Sequence, residues 1–115
     1  MSYDLQHGLE VARRCPDELW IVGLLHDAIE DGAASQEQLA QGLGSYMLET
    51  LVILSRTKDE TYWDYIRRVA TDPAARFVKI ADLKANLARM DEAHESLRPR
   101  YEKALDLLGE REGKA

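Results

Sequence analysis

Apolar residues recur at helical spacing along nearly the whole chain. No stretch shows the alternation of period two that a half-buried strand requires. Leu5 to Arg14, with Leu5, Leu9, Val11 and Ala12 apolar, predicts a first helix that Pro16 ends. Asp17 and Glu18 place acid in the first turn of a second, expected to run to about Ile29. Gly32-Ala33-Ala34-Ser35 reads as a loop, and Ser35 with Gln38 as a capping box for a short helix to Gln41. Gly42 and Gly44 punctuate the chain before a helix over Tyr46 to Ser55. A charged loop follows over 56–60. Thr61 caps a helix from Tyr62 to Thr71, and Asp72-Pro73 breaks the chain and restarts it. Ala74 to Met90 forms a long helix, Pro99 to Leu108 the last, and 109–115 a charged tail. The expectation is an all-α single domain over 1–108, a compact bundle of about six or seven helices.

Composition narrows the function classes. With 45% apolar and 31% charged residues the chain is an ordinary globular protein and not a disordered one. Its formal net charge of −6 opposes a nucleic-acid polymer as partner, which would want a basic face. It leaves room for a small phosphorylated ligand met by a metal and a few local cations. No apolar run reaches membrane-spanning length, and the opening Met1-Ser2-Tyr3-Asp4 has no signal-peptide character. The lone Cys15 has no partner for an internal disulfide, so a reducing cytoplasm is expected, and it reads as a packed residue and not a nucleophile. His94 lacks any motif context and reads as a surface residue.

The chemistry concentrates in three helical segments. The first offers His7, the second His26, Asp27, Glu30 and Asp31, and the long helix Asp82 with Asn86 four residues on. In a helix His26 and Glu30 share one stripe, and Asp27 and Asp31 the next. Carboxylates placed behind the apolar run Leu19 to Leu25 are costly without a cation to bind. A mixed nitrogen and oxygen donor set suits one divalent ion, among Mn²⁺, Fe²⁺, Co²⁺, Ni²⁺, Zn²⁺ and Mg²⁺. Arg56, Lys58, Lys79 and Lys84 are candidates to neutralise phosphates; Lys79 and Lys84 fall on different helix faces, so at most one faces the ion.

These residues resemble the HD superfamily of metal-dependent phosphohydrolases. "LLHDAIED" (24–31) resembles the H-D-x-x-E-D segment of RelA/SpoT-type alarmone hydrolase domains, and "VKIADLKANL" (78–87) their "VKLADRLxN" segment. His7-Gly8-Leu9-Glu10-Val11-Ala12 is similar to "HPxxVA" with glycine in place of proline. Leu54-Ser55-Arg56-Thr57-Lys58 and Tyr62-Trp63-Asp64-Tyr65-Ile66 resemble a segment of small stand-alone members. The resemblance spans about residues 3 to 108. It implies that His7, His26, Asp27 and Asp82 ligate the metal and that Glu30 and Asp31 handle the attacking water. Asn86, Lys58, Arg56 and Lys79 are then candidates to contact substrate.

The expected activity is hydrolysis of a nucleotide phosphate or pyrophosphate ester, with a guanosine 3′-diphosphate alarmone-like substrate favoured. The alternatives are a 5′-nucleotidase-type monoesterase and a non-catalytic, metal-stabilised nucleotide-binding or regulatory module. Two departures from the alarmone pattern stand out. Only six residues precede His7, and Leu83-Lys84-Ala85 replaces an arginine-leucine-histidine run. A pocket wall supplied by a partner chain would make the protein a homodimer.

Overall fold

The computed structural model describes residues 5–109, apart from the side chain of Ala93. Residues 1–4 and most of the expected tail, 110–115, lie outside the described residues. Seven α-helices and no strand are present among those described: α1 Leu5–Arg13, α2 Trp20–Leu25, α3 Gln36–Gly42, α4 Ser45–Ile53, α5 Tyr62–Ala70, α6 Pro73–Ala88 and α7 Arg98–Leu107. Short 3-10 turns over Asp17–Leu19 and Glu92–Leu97 lead into α2 and α7. No helix here is long and apolar enough to cross a membrane.

Local signals set three of the helix starts. Ser35 Oγ accepts the Gln38 backbone N–H at 3.1 Å, and Gln38 Oε1 accepts the Ser35 N–H at 2.9 Å, completing the capping box. Thr61 caps α5 through the Asp64 N–H at 3.1 Å. Asp72 caps α6 through Ala75, with Pro73 in the first turn where its missing N–H costs nothing.

The end of the second helix differs most from expectation. The second helix stops at Leu25, and the chain turns from His26 to Gly32. Ala28 N–H bonds the Leu25 carbonyl three residues back, and the N–H groups of both Ala33 and Ala34 return to the Ala28 carbonyl. Gly32, at φ 76°, supplies the left-handed residue that this reversal needs. The second departure is the 3-10 turn over 92–97, where polar residues carry no helical periodicity.

Helix α6 is the centre. It packs against α1, α2, α4, α5 and α7. Ala74, Ala75, Ala81 and Ala85 let those neighbours approach closely, while Val78 and Leu83 fill the space between them. Val11, Val22, Leu51, Leu54, Ile66, Val69 and Leu108 complete a continuous core. Burying side chains of this size stabilises by about 1.5–3 kcal/mol each.

Helices α1 and α2 cross tightly at Gly23. A Cβ there would lie 3.1 Å from both the Ala12 Cα and the Cys15 Sγ. The loop after α4 is fastened by Arg68, whose guanidinium grips both oxygens of Glu60 at 2.7 and 3.0 Å. It also donates to the Ile53 and Ser55 carbonyls at 2.9 and 3.0 Å, covering the open end of α4. This fork holds the Glu60 carboxyl down to about 2, from an ordinary 4.5, against the opposing effect of burial.

Two outcomes follow from this packing. Gly23→Ala forces backbone apart at the crossing and is expected to cost about 1–3 kcal/mol, read as a lowered Tm. Because Glu60 is depressed in the fold, its ion pair contributes fully above its ordinary 4.5 and is lost as pH falls toward about 2. Glu60→Gln is therefore expected to lose about 1–2 kcal/mol in urea unfolding at pH 7, and progressively less on acidification.

Candidate metal centre

Three segments deliver four side chains to one point. His7 projects from α1, His26 and Asp27 from the turn after α2, and Asp82 from the middle of α6. One ligand atom from each lies within 4.8 Å of all the others, so the four form a cluster able to hold a metal ion. His7, His26 and Asp82 are buried; the Asp27 side chain keeps a third of its surface open.

The hydrogen bonds orient this set. His26 Nδ1 donates to the Gly23 carbonyl at 2.8 Å, which turns Nε2 inward toward the two carboxylates. That Nε2 lies 3.0 Å from Asp27 Oδ2 and 3.2 Å from Asp82 Oδ1. His7 Nε2 lies 2.6 Å from the same Asp82 oxygen. The two rings meet edge-on, 5.2 Å between centroids. On the far side Lys79 Nζ donates to Asp82 Oδ2 at 2.8 Å.

Burial alone would push the Asp82 carboxyl up, yet Lys79 and the two imidazoles hold it well below the usual carboxylate range. Lys79 is likewise pulled down by burial and raised well above its ordinary value by Asp82. Two carboxylates therefore face one ammonium, and the excess negative charge must be met. A proton on His26 can meet it. Burial opposes its charge, but hydrogen bonds and attraction from Asp27 and Asp82 outweigh this and raise it to about 10. A divalent cation meets the same excess with both imidazoles neutral, so the donor set fits a divalent metal ion.

The cluster opens onto a cleft of about 420 Å³. Glu30, Lys79 and Asn86 line it together with Tyr62, Arg89, Leu97, Arg100 and Tyr101. One Glu30 oxygen accepts the Arg56 backbone N–H at 2.8 Å; the other has no protein partner among the described residues. Asp31 is not in the cleft wall; its N–H bonds the Asp27 carbonyl at 2.8 Å. Arg56 turns its Nε to the Glu60 carbonyl, and Lys58 is exposed; neither lines the cleft. Lys84 borders a separate groove with Arg14, Arg76 and Phe77, so only Lys79 of the α6 pair faces the cluster. Cys15, half-buried, has its thiol pushed up to about 11 by burial, which suits packing and not nucleophilic attack. His94 is exposed and paired with Asp91 at 2.7 Å.

The cleft residues that sequence reasoning missed are Tyr62, Leu83, Arg89, Leu97, Arg100 and Tyr101. One signal was present. Helix α7 opens with Arg98 and Arg100 and no acid in its first turn, contrary to the helix dipole. No protein-family model matches the chain, and no curated relative matches it.

Metal uptake by the purified chain is expected to release protons, with apparent Mn²⁺ affinity rising about tenfold per pH unit across neutrality. Calorimetry in buffers of different ionisation enthalpy measures both. Asp82→Asn, which keeps the shape and removes the shared charge, is expected to weaken uptake by about 100-fold or more.

Proposed function

We propose that this chain is a metal-dependent phosphohydrolase of the HD type, acting on a nucleotide phosphate or pyrophosphate ester. The observation carrying this reading is the convergence of His7, His26, Asp27 and Asp82, the four positions marked by the resemblance, to within 4.8 Å. An alarmone-like guanosine 3′-diphosphate is the favoured substrate, and Mn²⁺ the favoured ion. The single free thiol of Cys15 is compatible with a reducing cytoplasm.

A bound divalent cation would supply Lewis acidity, acidifying water and polarising a phosphoryl oxygen. The protein's groups do the rest. Lys79 keeps Asp82 anionic at the centre of the donor set. Gly23 fixes the ring of His26. Glu30, steadied at one oxygen by the Arg56 N–H, has its other oxygen available to orient a water and accept its proton. As the water oxygen bonds to phosphorus, the ester bond on the opposite side breaks and the leaving oxygen takes up a proton. Asn86, on the cleft wall one helical turn beyond Asp82, is placed to hydrogen-bond a substrate hydroxyl. The Asp31 backbone N–H closes the turn that carries Asp27 and Glu30 by bonding the Asp27 carbonyl.

A Mn²⁺-supplemented panel of nucleotides tests this. Pyrophosphate released from a guanosine 3′-diphosphate supports the favoured substrate, and orthophosphate from a 5′-monophosphate supports the monoesterase. Asp27→Ala should abolish release, and Glu30→Gln should lower kcat by about 10²–10⁴-fold with Mn²⁺ affinity retained. A metal-loaded protein that binds nucleotide and releases neither product is a regulatory module and overturns the catalytic reading.

A further inference from the structure

One cation of the cleft has no acid to answer. Lys79 is engaged by Asp82, and Arg98, beside it in the first turn of α7, forks onto Glu95 at 2.7 and 3.2 Å. Arg100 lines the cleft, yet it forms no hydrogen bond and no ion pair among the described residues. Its guanidinium instead lies over the Tyr62 ring, 3.9 Å from the centroid.

That ring is a braced platform. Trp63 meets it edge-on at 5.0 Å, and Lys103 Nζ sits 4.6 Å from the Trp63 ring centre. The Tyr62 hydroxyl is buried without a hydrogen-bond partner among the described residues and belongs to a residue of the same cleft wall. An exposed cation–π contact stabilises only weakly. It does not explain an arginine kept in a helical first turn, where the dipole opposes positive charge. A bound anion explains it: the planar fork offers paired donors to phosphate, and stacking lowers the cost of ordering them.

We propose that Arg100, presented by the Tyr62 ring, grips a second anionic group of the ligand. The cleft then selects phosphate compounds with two anionic groups, one at the His/Asp cluster and one at the α7 wall. The inference rests on the metal-centred reading for its first anchor. Tyr62 is a positioning residue, and Arg100 touches the ligand.

Calorimetry on the Mn²⁺-loaded full chain, with orthophosphate, pyrophosphate and tripolyphosphate as probes, measures this selection. One of the two longer anions is expected to bind at least about tenfold tighter than orthophosphate. Arg100→Gln should erase that ratio while leaving Mn²⁺ and orthophosphate affinities within about twofold, and Arg100→Lys should restore part of it. Tyr62→Phe, which keeps the ring, should preserve the ratio, and Tyr62→Leu should lose it. An unchanged ratio in Arg100→Gln, or an equal fall for all three anions, overturns the assignment of Arg100 alone. Failure to take up Mn²⁺ overturns the metal-centred reading and this inference with it. An Arg100-dependent ratio without hydrolysis of any nucleotide overturns only the catalytic reading.

Discussion

The buried carboxylate of Asp82 is the constraint that the rest of the centre answers. A carboxylate taken out of water without compensation costs several kcal/mol. Here each oxygen is accounted for: Oδ1 faces both imidazoles and Oδ2 receives Lys79. Those partners come from α1, from the turn after α2 and from α6 itself. One buried charge thus links three segments of the fold. It also explains why a proton or a cation is needed, since Asp27 brings a second negative charge that Lys79 does not balance.

The backbone serves this arrangement. Gly23 allows α1 and α2 to cross closely, which brings His7 toward His26, and its carbonyl then orients the His26 ring. A side chain at that one position would disturb the approach of the first histidine and the aim of the second together. The small residues of α6 act similarly from below, bringing Asp82 up to both. The cluster therefore lies at the edge of the core, with Asp82 enclosed and Asp27 partly open to the cleft.

What was legible in the sequence follows the range of the interactions involved. Ser35 with Gln38, Thr61, and Asp72 with Pro73 act within three residues, and each begins its helix where local chemistry places it. The end of the second helix is not legible because apolar spacing continues to Ile29, while tight backbone bonds around Ala28 turn the chain at His26. His7, His26, Asp27 and Asp82 were recognisable as a set from motif order, although nothing local to any one of them reveals their convergence. The Arg68 fork on Glu60 and the α4 carbonyls went unread, as did Arg100 on Tyr62. Both depend on which helices become neighbours.

Lys79 shows why position on a helix does not decide what a charge is for. By sequence it ranks with Arg56 and Lys58 as a phosphate ligand. In the fold its ammonium is 2.8 Å from a buried carboxylate and 5.3 Å from the centre of the Tyr65 ring. Attraction to Asp82 in so enclosed a setting is strong, and a ligand phosphate would have to compete with it. A chain of net charge −6 repels anions at long range. An anion entering this cleft would therefore have to be attracted by cations not already neutralised, together with any ion held by the cluster. Arg100 meets that requirement because the partner that holds it is an aromatic face, which orients a guanidinium without cancelling its charge.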